Sequence, residues 1–436
     1  MNLKVLILKF SSQLVELPDL SKATNLAIVD LRFCKGLTSI HPSLFTLNKL
    51  EKLDLGGCLS LTSLKSNIHL SRLRHLSLAH CNSLKEFSVT SKEMVNLNLE
   101  HTGIKQLPSS IGLQTKLEKL LLPHSYVKNL PESIKNLSKL RHLDLSHCIE
   151  LQTLPELPSS LITLDVRGCV SLENVSFPST ALQMLKENKT RVFFWNCVKL
   201  VQHSLKAIEL NAQINMMKFA QHQISTSSDD HDYDAQGTYV YPGSSVPKWL
   251  VYRTTHDYMD IDLSFANHSS DQLAFIFCFI VPQVESEGFI LRFNISVGGE
   301  GENIQVYLDR PSLEIKSDHV YLMCDQGLSR YLNSRVKNQP MLKIKVTAES
   351  GTPTSGYMPV KLLRGIGVSP INISQYLNFI QQVEIMAEGP SISTSFKSNV
   401  IYILPIIFIG LIIIMVVIGF RARYFGLPFI FKIKRM

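Results

Sequence analysis

Residues 50–58 read Leu-Glu-Lys-Leu-Asp-Leu-Gly-Gly-Cys, and the pattern of this stretch, Leu-x-x-Leu-x-Leu-x-x-Cys, decides the fold. The same phrase, with small replacements, occurs eight times, beginning at Leu3, Leu26, Leu50, Leu73, Met94, Leu117, Leu140 and Leu161. Successive starts are 23, 24, 23, 21, 23, 23 and 21 residues apart. A repeat of this length predicts a solenoid in which each repeat gives one short strand and stacks its leucines on its neighbours.

The phrase predicts an α/β leucine-rich-repeat solenoid over residues 1–175. Its leucines point into the solenoid, whereas the residues between and just after them line the concave face. At a strand spacing of ~4.8 Å this face is about 34 Å long, which suits a protein-sized contact. We expect it to bind a protein through Arg32, Asp54, Arg74, His75, Asn98, Glu100, Glu118, Lys119, Arg141, His142, Asp144, Asp165 and Arg167. The alternative for any one of them is that it only keeps a one-sided sheet soluble.

Five cysteines occupy the last position of the phrase, namely Cys34, Cys58, Cys81, Cys148 and Cys169. A small thiol that forms weak hydrogen bonds suits a buried position at the end of each strand. The pattern predicts a ladder of free structural thiols in a reducing compartment and not a set of disulfides. No Cys-x-x-Cys pair or Cys/His spacing indicates a metal site.

The formal net charge of +8 is not concentrated in a basic cluster, and no aromatic stacking platform accompanies it. Nucleic-acid binding is therefore not expected. The sequence also lacks a phosphate-binding loop, a nucleophile elbow, a zinc-protease helix and a kinase motif set. We expect neither catalysis nor a cofactor.

Residues 176–222 no longer repeat the phrase and predict a cap with an amphipathic helix over the last repeat. An acidic linker at 223–237 follows. From 238 to 388 short apolar runs alternate with turn residues, which predicts an all-β sandwich. The expected strands are 239–241, 249–252, 259–265, 273–281, 289–297, 304–308, 319–323, 342–346, 360–368 and 382–386.

Residues 400–420 carry no charge, and as a helix they would span about 31 Å, close to the ~30 Å hydrocarbon core of a bilayer. They predict a C-terminal transmembrane helix between a linker at 389–399 and a basic tail at 421–436. The basic tail favours repeats outside the cell, whereas the cysteine ladder and the lack of a recognisable secretory signal favour the cytosol. We give more weight to the second pair and predict a single-pass membrane protein with cytosol-facing repeats.

Three ordered motifs resemble those of plant intracellular immune receptors that combine a Toll/interleukin-1-receptor domain, a nucleotide-binding domain and leucine-rich repeats. They are the cysteine-bearing phrase with its closing stretch at 154–172, Phe-Trp-Asn-Cys-Val-Lys-Leu at 194–200, and Tyr-Pro-Gly-Ser-Ser-Val-Pro-Lys-Trp-Leu-Val-Tyr-Arg-Thr at 241–254. The resemblance extends over roughly residues 1–388. The third motif resembles the start of the jelly-roll, immunoglobulin-like domain that follows the repeats in these receptors.

The resemblance implies that the repeats and the jelly-roll domain together recognise a pathogen effector. No phosphate-binding loop precedes the repeats, so nucleotide binding is not carried over, and Ser245 and Lys248 stand where the third motif often has acidic residues. We expect a recognition module of plant innate immunity, without nucleotide-binding or signalling domains, that binds a pathogen effector or a host protein. The alternatives are a membrane-anchored scaffold or decoy, and an extracellular repeat receptor.

Overall fold

The leucine phrase folds into a ladder of short strands, because its leucines alternate with polar residues and leave each strand one apolar face. In the computed structural model the chain is described over residues 2–66, 69–225, 236–264, 272–284, 290–297, 304–307, 314–336, 341–352, 356–360 and 364–388. The strands of the repeats are β1 (Val5–Ile7), β2 (Ile28–Asp30), β3 (Lys52–Asp54), β4 (Ser63–Leu64), β5 (His75–Ser77), β6 (Glu86–Phe87), β7 (Asn96–Asn98), β8 (Lys119–Leu121), β9 (His142–Asp144), β10 (Thr153–Leu154), β11 (Thr163–Asp165), β12 (Asn174–Val175) and β13 (Arg191–Phe193).

Nine of these strands pair in one parallel sheet, in the order β1, β2, β3, β5, β7, β8, β9, β11 and β13. The register joins equivalent positions of the phrase, so that Leu53 lies beside Leu76. The leucines form a continuous buried core. On the return path of the repeats lie the strand pairs β4–β6 and β10–β12 and the 3-10 helices Pro42–Thr46, Ser109–Leu113 and Glu132–Asn136. The leucine-rich-repeat solenoid predicted from the phrase is therefore the observed fold.

The parallel sheet continues past residue 175, where the sequence pattern predicts its end. β13 pairs with β11 and belongs to a ninth phrase that has Lys189, Val192, Phe194 and Cys197 at the apolar and cysteine positions. This phrase starts 28 residues after Leu161. The long interval and the lysine at the first leucine position hide the match in the sequence, so the stretch expected to cap the repeats contains a repeat.

Beyond the ninth repeat the strands are mostly antiparallel. The helices there are α2 (Gln202–Ser225), α3 (Gln326–Val336) and α4 (Ile373–Glu388), whereas the short helix α1 (Ala181–Met184) precedes β13. The strands are β14 (Gln236–Pro242), β15 (Tyr252–Thr254), β16 (Tyr258–Asp262), β17 (Ala274–Val281), β18 (Ile290–Val297), β19 (Ile304–Tyr307), β20 (His319–Asp325), β21 (Met341–Thr352), β22 (Gly356–Val360) and β23 (Ile366–Ile371). β14 pairs in parallel with β13 and in antiparallel with β20. One 14-stranded sheet therefore runs from β1 through the repeats to β15.

A second, antiparallel sheet contains β16, β18, β19, β21 and β22. Its buried residues, among them Ile261 and Ile344, share one hydrophobic cluster with Phe277 and Met323 of the first sheet. Helix α3 adds Leu328 to the same cluster. The two sheets and α3 thus enclose a second core, distinct from the core of the repeats.

Three of the predicted strands differ from the structure. The strand predicted at 249–252 shares only Tyr252 with the observed strand β15. Residues 382–386 are helical, within α4, so the predicted strand there is wrong. Phe379 and Val383 are both buried and lie four residues apart, which is the spacing of a helix and not of a strand. The predicted strand at 360–368 corresponds to parts of two strands, β22 and β23.

The predicted linkers and the predicted transmembrane segment fall largely outside the described residues. Helix α2 extends to Ser225 and β14 begins at Gln236, so only residues 226–235 of the acidic linker are left between them, and these are not described. Residues 389–436 are also outside the described part. Within the part that is described, no helix is both long and apolar enough to cross a membrane.

Candidate functional site

The concave face of the parallel sheet carries a row of carboxylate and amide side chains at the last residue of several strands. Each of these side-chain oxygens accepts a hydrogen bond from the backbone N–H two residues later: Asp30 from Arg32 (3.2 Å), Asp54 from Gly56 (3.1 Å), Asn98 from Glu100 (2.9 Å), Asp144 from Ser146 (2.9 Å) and Asp165 from Arg167 (3.1 Å). They satisfy backbone donors where the chain leaves the sheet. These hydrogen bonds therefore show a structural role, in the turns after the strands, for Asp54, Asn98, Asp144 and Asp165.

Arg32, at the N-terminal end of the face, is held by carboxylates. Its Nη2 lies 2.9 Å from Oδ2 of Asp30, and its Nε lies 3.5 Å from Oδ2 of Asp54. Burial alone would raise the pKa of Asp30, but hydrogen bonds from Arg32 and Lys9 lower it to about 2. The charge of Arg32 is thus largely compensated within the face.

Arg167, at the other end, is held in a similar way. Its Nη2 lies 2.6 Å from Oδ2 of Asp165, and its guanidinium lies 5.1 Å from the ring centroid of Phe193. Burial raises the pKa of Asp165, an effect that Arg167 opposes. The aromatic ring and the carboxylate fix the arginine against the sheet.

The middle of the face presents five of the predicted residues to solvent, and we call these the concave patch: Arg74, Glu118, Lys119, Arg141 and His142. Lys119 in β8 is the register partner of His142 in β9, so these two side chains are neighbours on the sheet. Glu118 and Arg141 precede them directly in sequence. The structure therefore brings both charge signs together on a short stretch of rigid sheet.

The two remaining predicted residues, His75 and Glu100, are half-buried. The Nδ2 of Asn96 lies 3.0 Å from Nδ1 of His75, so the amide donates and the imidazole accepts. Burial lowers the pKa of His75, and the neighbouring Arg74 lowers it further. His75 therefore extends the concave patch as a neutral side chain.

A feature that the sequence analysis does not single out lies along one edge of this face. His80, His101, His124 and His147 stack in a row, with ring centroids 4.8, 4.2 and 4.7 Å apart and interplanar angles of 19°, 7° and 11°. All four have positive φ, between 49° and 61°. Each N–H donates to a carbonyl of the following repeat at 2.7–2.9 Å, which offsets the cost of this backbone conformation.

This histidine stack had a sequence signal, because each histidine directly precedes the cysteine position of its phrase. Burial lowers the pKa of His101, His124 and His147, and neighbouring histidines or Arg167 lower these values further. The lowered pKa values of His101, His124 and His147 favour the neutral form of these three stacked rings. Among the described residues, no group of three or more His, Cys, Asp or Glu side chains is arranged to hold a metal ion.

The five predicted ladder cysteines are buried, and each Sγ donates to a carbonyl of the preceding repeat: Cys34 to Leu8 (2.9 Å), Cys58 to Leu31 (3.3 Å), Cys81 to Leu55 (3.1 Å), Cys148 to Leu122 (3.1 Å) and Cys169 to Leu145 (3.1 Å). Cys197 has the same role in the ninth repeat. Burial raises the pKa of Cys58 to about 12 and those of Cys81 and Cys148 to about 11. The thiols therefore remain protonated donors that satisfy strand-end carbonyls.

Curated proteins from Arabidopsis thaliana are similar to this chain, and two of the three described below match more than two thirds of it. Protein SUPPRESSOR OF npr1-1, CONSTITUTIVE 1 is 27% identical over 377 residues, which cover 74% of this chain and 26% of that protein. Disease resistance protein RPP5 is 27% identical over 319 residues, covering 70% of this chain and 20% of the relative. Disease resistance protein RML1A is 34% identical over 165 residues, covering 38% and 14%. The chain is a homologue of plant disease resistance proteins.

These matches confirm the resemblance inferred from the repeat phrase and the two motifs after it. The chain spans about a quarter or less of the length of these three relatives. No family model matches it. The leucine-rich repeat domain of the type III effector XopL is 22% identical and covers 47% of this chain and 67% of that domain, but the TM-score of 0.30 is too low to support an argument.

Proposed function

We propose that the chain is a protein-recognition module of plant immunity that binds a pathogen effector or a host protein through the concave patch. The observation that carries this proposal is a contrast between two groups of side chains on the same sheet. The carboxylates at the strand ends accept hydrogen bonds in turns or form ion pairs, whereas the concave patch is exposed. Repeat proteins commonly bind protein partners on this face. The disease resistance proteins among the relatives support the immune context.

We also infer that β14–β23 form the jelly-roll, immunoglobulin-like sandwich implied by the motif at 241–254. The core shared by the two sheets supports this assignment. Because β14 extends the sheet of the repeats, the sandwich and the solenoid form one continuous scaffold.

Reversing the charges of the concave patch is expected to remove the partner. The triple variant Arg74→Glu, Lys119→Glu and Arg141→Glu should weaken binding by about tenfold or more, because several charged contacts are lost and replaced by repulsion. The measurement is quantitative co-purification of tagged full-length chain from plant tissue, followed by titration of the recovered partner.

The matched control reverses the same number of exposed lysines outside the parallel sheet, at Lys85, Lys105 and Lys135. This variant has the same net charge as the concave variant, so a difference between the two reports position and not total charge. Partners that survive the concave reversal as well as the control reversal would rule out the concave patch as the binding surface.

We further propose, from the uncharged stretch at 400–420, that the module is held on a membrane with its repeats in the cytosol. An expressed chain with this orientation carries no sugar at its sequons, which are Asn136, Asn174, Asn188, Asn267, Asn294 and Asn372. We expect its gel mobility to be unchanged by glycosidase. A mobility shift would favour the extracellular receptor instead.

A further inference from the structure

One repeat interrupts the row of polar side chains at the strand ends of the concave face. Between the first and the ninth repeat, the last strand residue is polar in every repeat but one, and these polar residues are Asp30, Asp54, Ser77, Asn98, Asp144 and Asp165. In the sixth repeat the residue is Leu121, at the end of β8. The register places Leu121 beside Asn98 on one neighbouring strand and beside Asp144 on the other. A single apolar side chain therefore lies in the middle of a polar row.

The turn after β8 explains why a polar residue is not needed there. In five other repeats the side-chain oxygen accepts from the backbone N–H two residues later, as Asp144 does from Ser146. The sixth repeat has Pro123 at that place, and proline has no N–H to satisfy. The Pro123 carbonyl still accepts from the N–H of His101 at 2.9 Å, so the sheet hydrogen bond of the repeat is retained. The fold therefore leaves residue 121 without a task in the turn.

Leu121 has no task in the core either. Its side chain is half-buried and, among the described residues, belongs to neither hydrophobic cluster. Lys119 lies two residues earlier on the same strand, so both side chains are on the concave face. The register partner of Lys119 is His142, another member of the concave patch. Protein interfaces commonly combine an apolar centre with a polar rim, and Leu121 provides such a centre beside the charges of the concave patch.

The charges around Leu121 favour a partner with acidic groups. The concave patch has three exposed cations and one exposed carboxylate, namely Arg74, Lys119, Arg141 and Glu118. The carboxylate nearest along the sheet, Asp144, already accepts from the N–H of Ser146 at 2.9 Å. Glu100, in the turn of the preceding repeat, is half-buried. The cations are therefore the more available charges for a partner on this part of the face.

We propose that Leu121 is the apolar anchor point of the concave patch, and that the partner is an acidic segment with one large apolar side chain. That side chain packs on Leu121, while acidic residues beside it meet Lys119 and Arg141. The inference rests on the proposed function, because it assigns a chemistry to the partner of the concave patch. Exposed charge pairs alone contribute little affinity, so the apolar contact is what makes the site selective.

The test begins with the selection of random peptides, displayed on phage, on the purified full-length chain. We expect the enriched peptides to share a net negative charge and one large apolar residue. The synthetic consensus peptide is then titrated against the chain. Replacing its apolar residue by alanine should weaken binding by about tenfold or more. This peptide variant reports the contact without any change to the fold of the protein.

Three protein variants locate the contact. Leu121→Asn should weaken the consensus peptide by about tenfold or more, and it should unfold near the wild-type temperature because Asn98 occupies the equivalent place in the preceding repeat. Leu121→Met retains an apolar side chain of similar volume and should bind within about twofold of the wild type. Ile149→Asn, at a residue 52% exposed outside the strands, is the matched control and should also bind within about twofold. In Leu121→Asn, the alanine peptide should lose little further affinity, because both changes remove one contact.

Several results would overturn the proposal: no enrichment over the empty support, enriched peptides that are basic or share no apolar residue, or a consensus peptide that binds Leu121→Asn as tightly as the wild type. The triple reversal of Arg74, Lys119 and Arg141 separates these failures from a failure of the proposed function. A peptide lost in the triple reversal but retained in Leu121→Asn would remove only the role of Leu121. A peptide retained in both variants would contradict the concave patch as well.

Discussion

Lowering the pH from 7.5 to 4 is expected to cost the folded chain about 3 kcal/mol through His319 alone. This histidine is fully buried, and burial lowers its pKa to about 4, against the opposing effects of the Ser317 carbonyl and Asp318. Its Nε2 accepts a hydrogen bond from the N–H of Asn196 at 2.9 Å, and its Nδ1 lies 2.7 Å from the carbonyl of Ser317. The contact with Asn196 requires an unprotonated Nε2, and the contact with Ser317 places the proton of the neutral ring on Nδ1.

The direction of this change in stability with pH follows from the number of protons that the folded and the unfolded chain bind. The unfolded chain takes up a proton on this histidine near pH 6.5, whereas the folded chain does so only near pH 4. The stabilisation from the neutral ring is therefore complete above pH 6.5 and is lost as the pH falls towards 4. Protonation removes the acceptor for Asn196 and places a charge at a buried position beside the Trp195 ring, whose centroid lies 4.9 Å away.

The consequence is local, because these residues join the ninth repeat to β20. Asn196 also donates to the carbonyl of Glu314 (2.7 Å) and accepts from the N–H of Lys316 (2.9 Å).

Urea unfolding at pH 7.5, 5.5 and 4 measures the effect. His319→Gln retains an acceptor without a titrating ring. Between pH 7.5 and pH 4, its free energy of unfolding should therefore fall by about 3 kcal/mol less than that of the wild type. His256→Gln, at an exposed histidine, should lose as much unfolding free energy over this pH range as the wild type. If His319→Gln and the wild type lost the same unfolding free energy between pH 7.5 and pH 4, the role of His319 would be refuted.

The sequence was sufficient for those parts of the fold that depend on a local period. Leu53 and Leu55 in one repeat and Leu76 and Leu78 in the next are buried as the phrase requires, since one strand with one apolar face has only one way to stack. The same logic failed at residue 189, where a lysine replaces the expected leucine. It failed again in α4, where a short apolar run was interpreted as a strand.

The candidate site was less predictable, because burial and pairing depend on contacts that no local pattern contains. The phrase predicts which residues point outward, but it does not distinguish Asp144, which accepts from a backbone N–H, from Arg141, which is exposed. The contact between Asn196 and His319 joins residues 123 positions apart. The histidine stack also had a sequence signal, its constant place in the repeat, although the sequence analysis does not single it out.

Replacing Lys189 by leucine is expected to destabilise the chain by about 3–5 kcal/mol, although it restores the leucine that the phrase predicts. Lys189 and Glu187 are almost fully buried, and Nζ lies 2.6 Å from Oε1 of the carboxylate. Burial lowers the pKa of Lys189, and Glu187 opposes that shift. Leucine at this position would leave the Glu187 carboxylate buried without its cation.

The pair belongs to a polar network that joins the ninth repeat to α2 and β14. Asn211 in α2 donates to Oε2 of Glu187 (2.6 Å) and accepts from the Tyr239 hydroxyl of β14 (2.9 Å). Asn215 accepts from the backbone N–H of Lys189 at 3.0 Å. We interpret this network as the element that fixes where helix α2 covers the sheet, a role that a leucine would not perform.

A double-mutant cycle in urea separates the ion pair from simple packing. Glu187→Gln combined with Lys189→Leu removes both charges and retains an amide for Asn211, so we expect it to be more stable than Lys189→Leu alone by about 2 kcal/mol or more. The exposed pair Lys65–Glu86, with Nζ 2.8 Å from Oε2, is the control, and Lys65→Leu should cost less than about 1 kcal/mol. If Lys189→Leu were as mild as Lys65→Leu, or if the double variant were the least stable of the set, the buried charge would not be what the network serves. The ninth repeat would then tolerate leucine, and the position of α2 would depend mainly on its other contacts, among them the apolar contacts of Ile208 and Ala212.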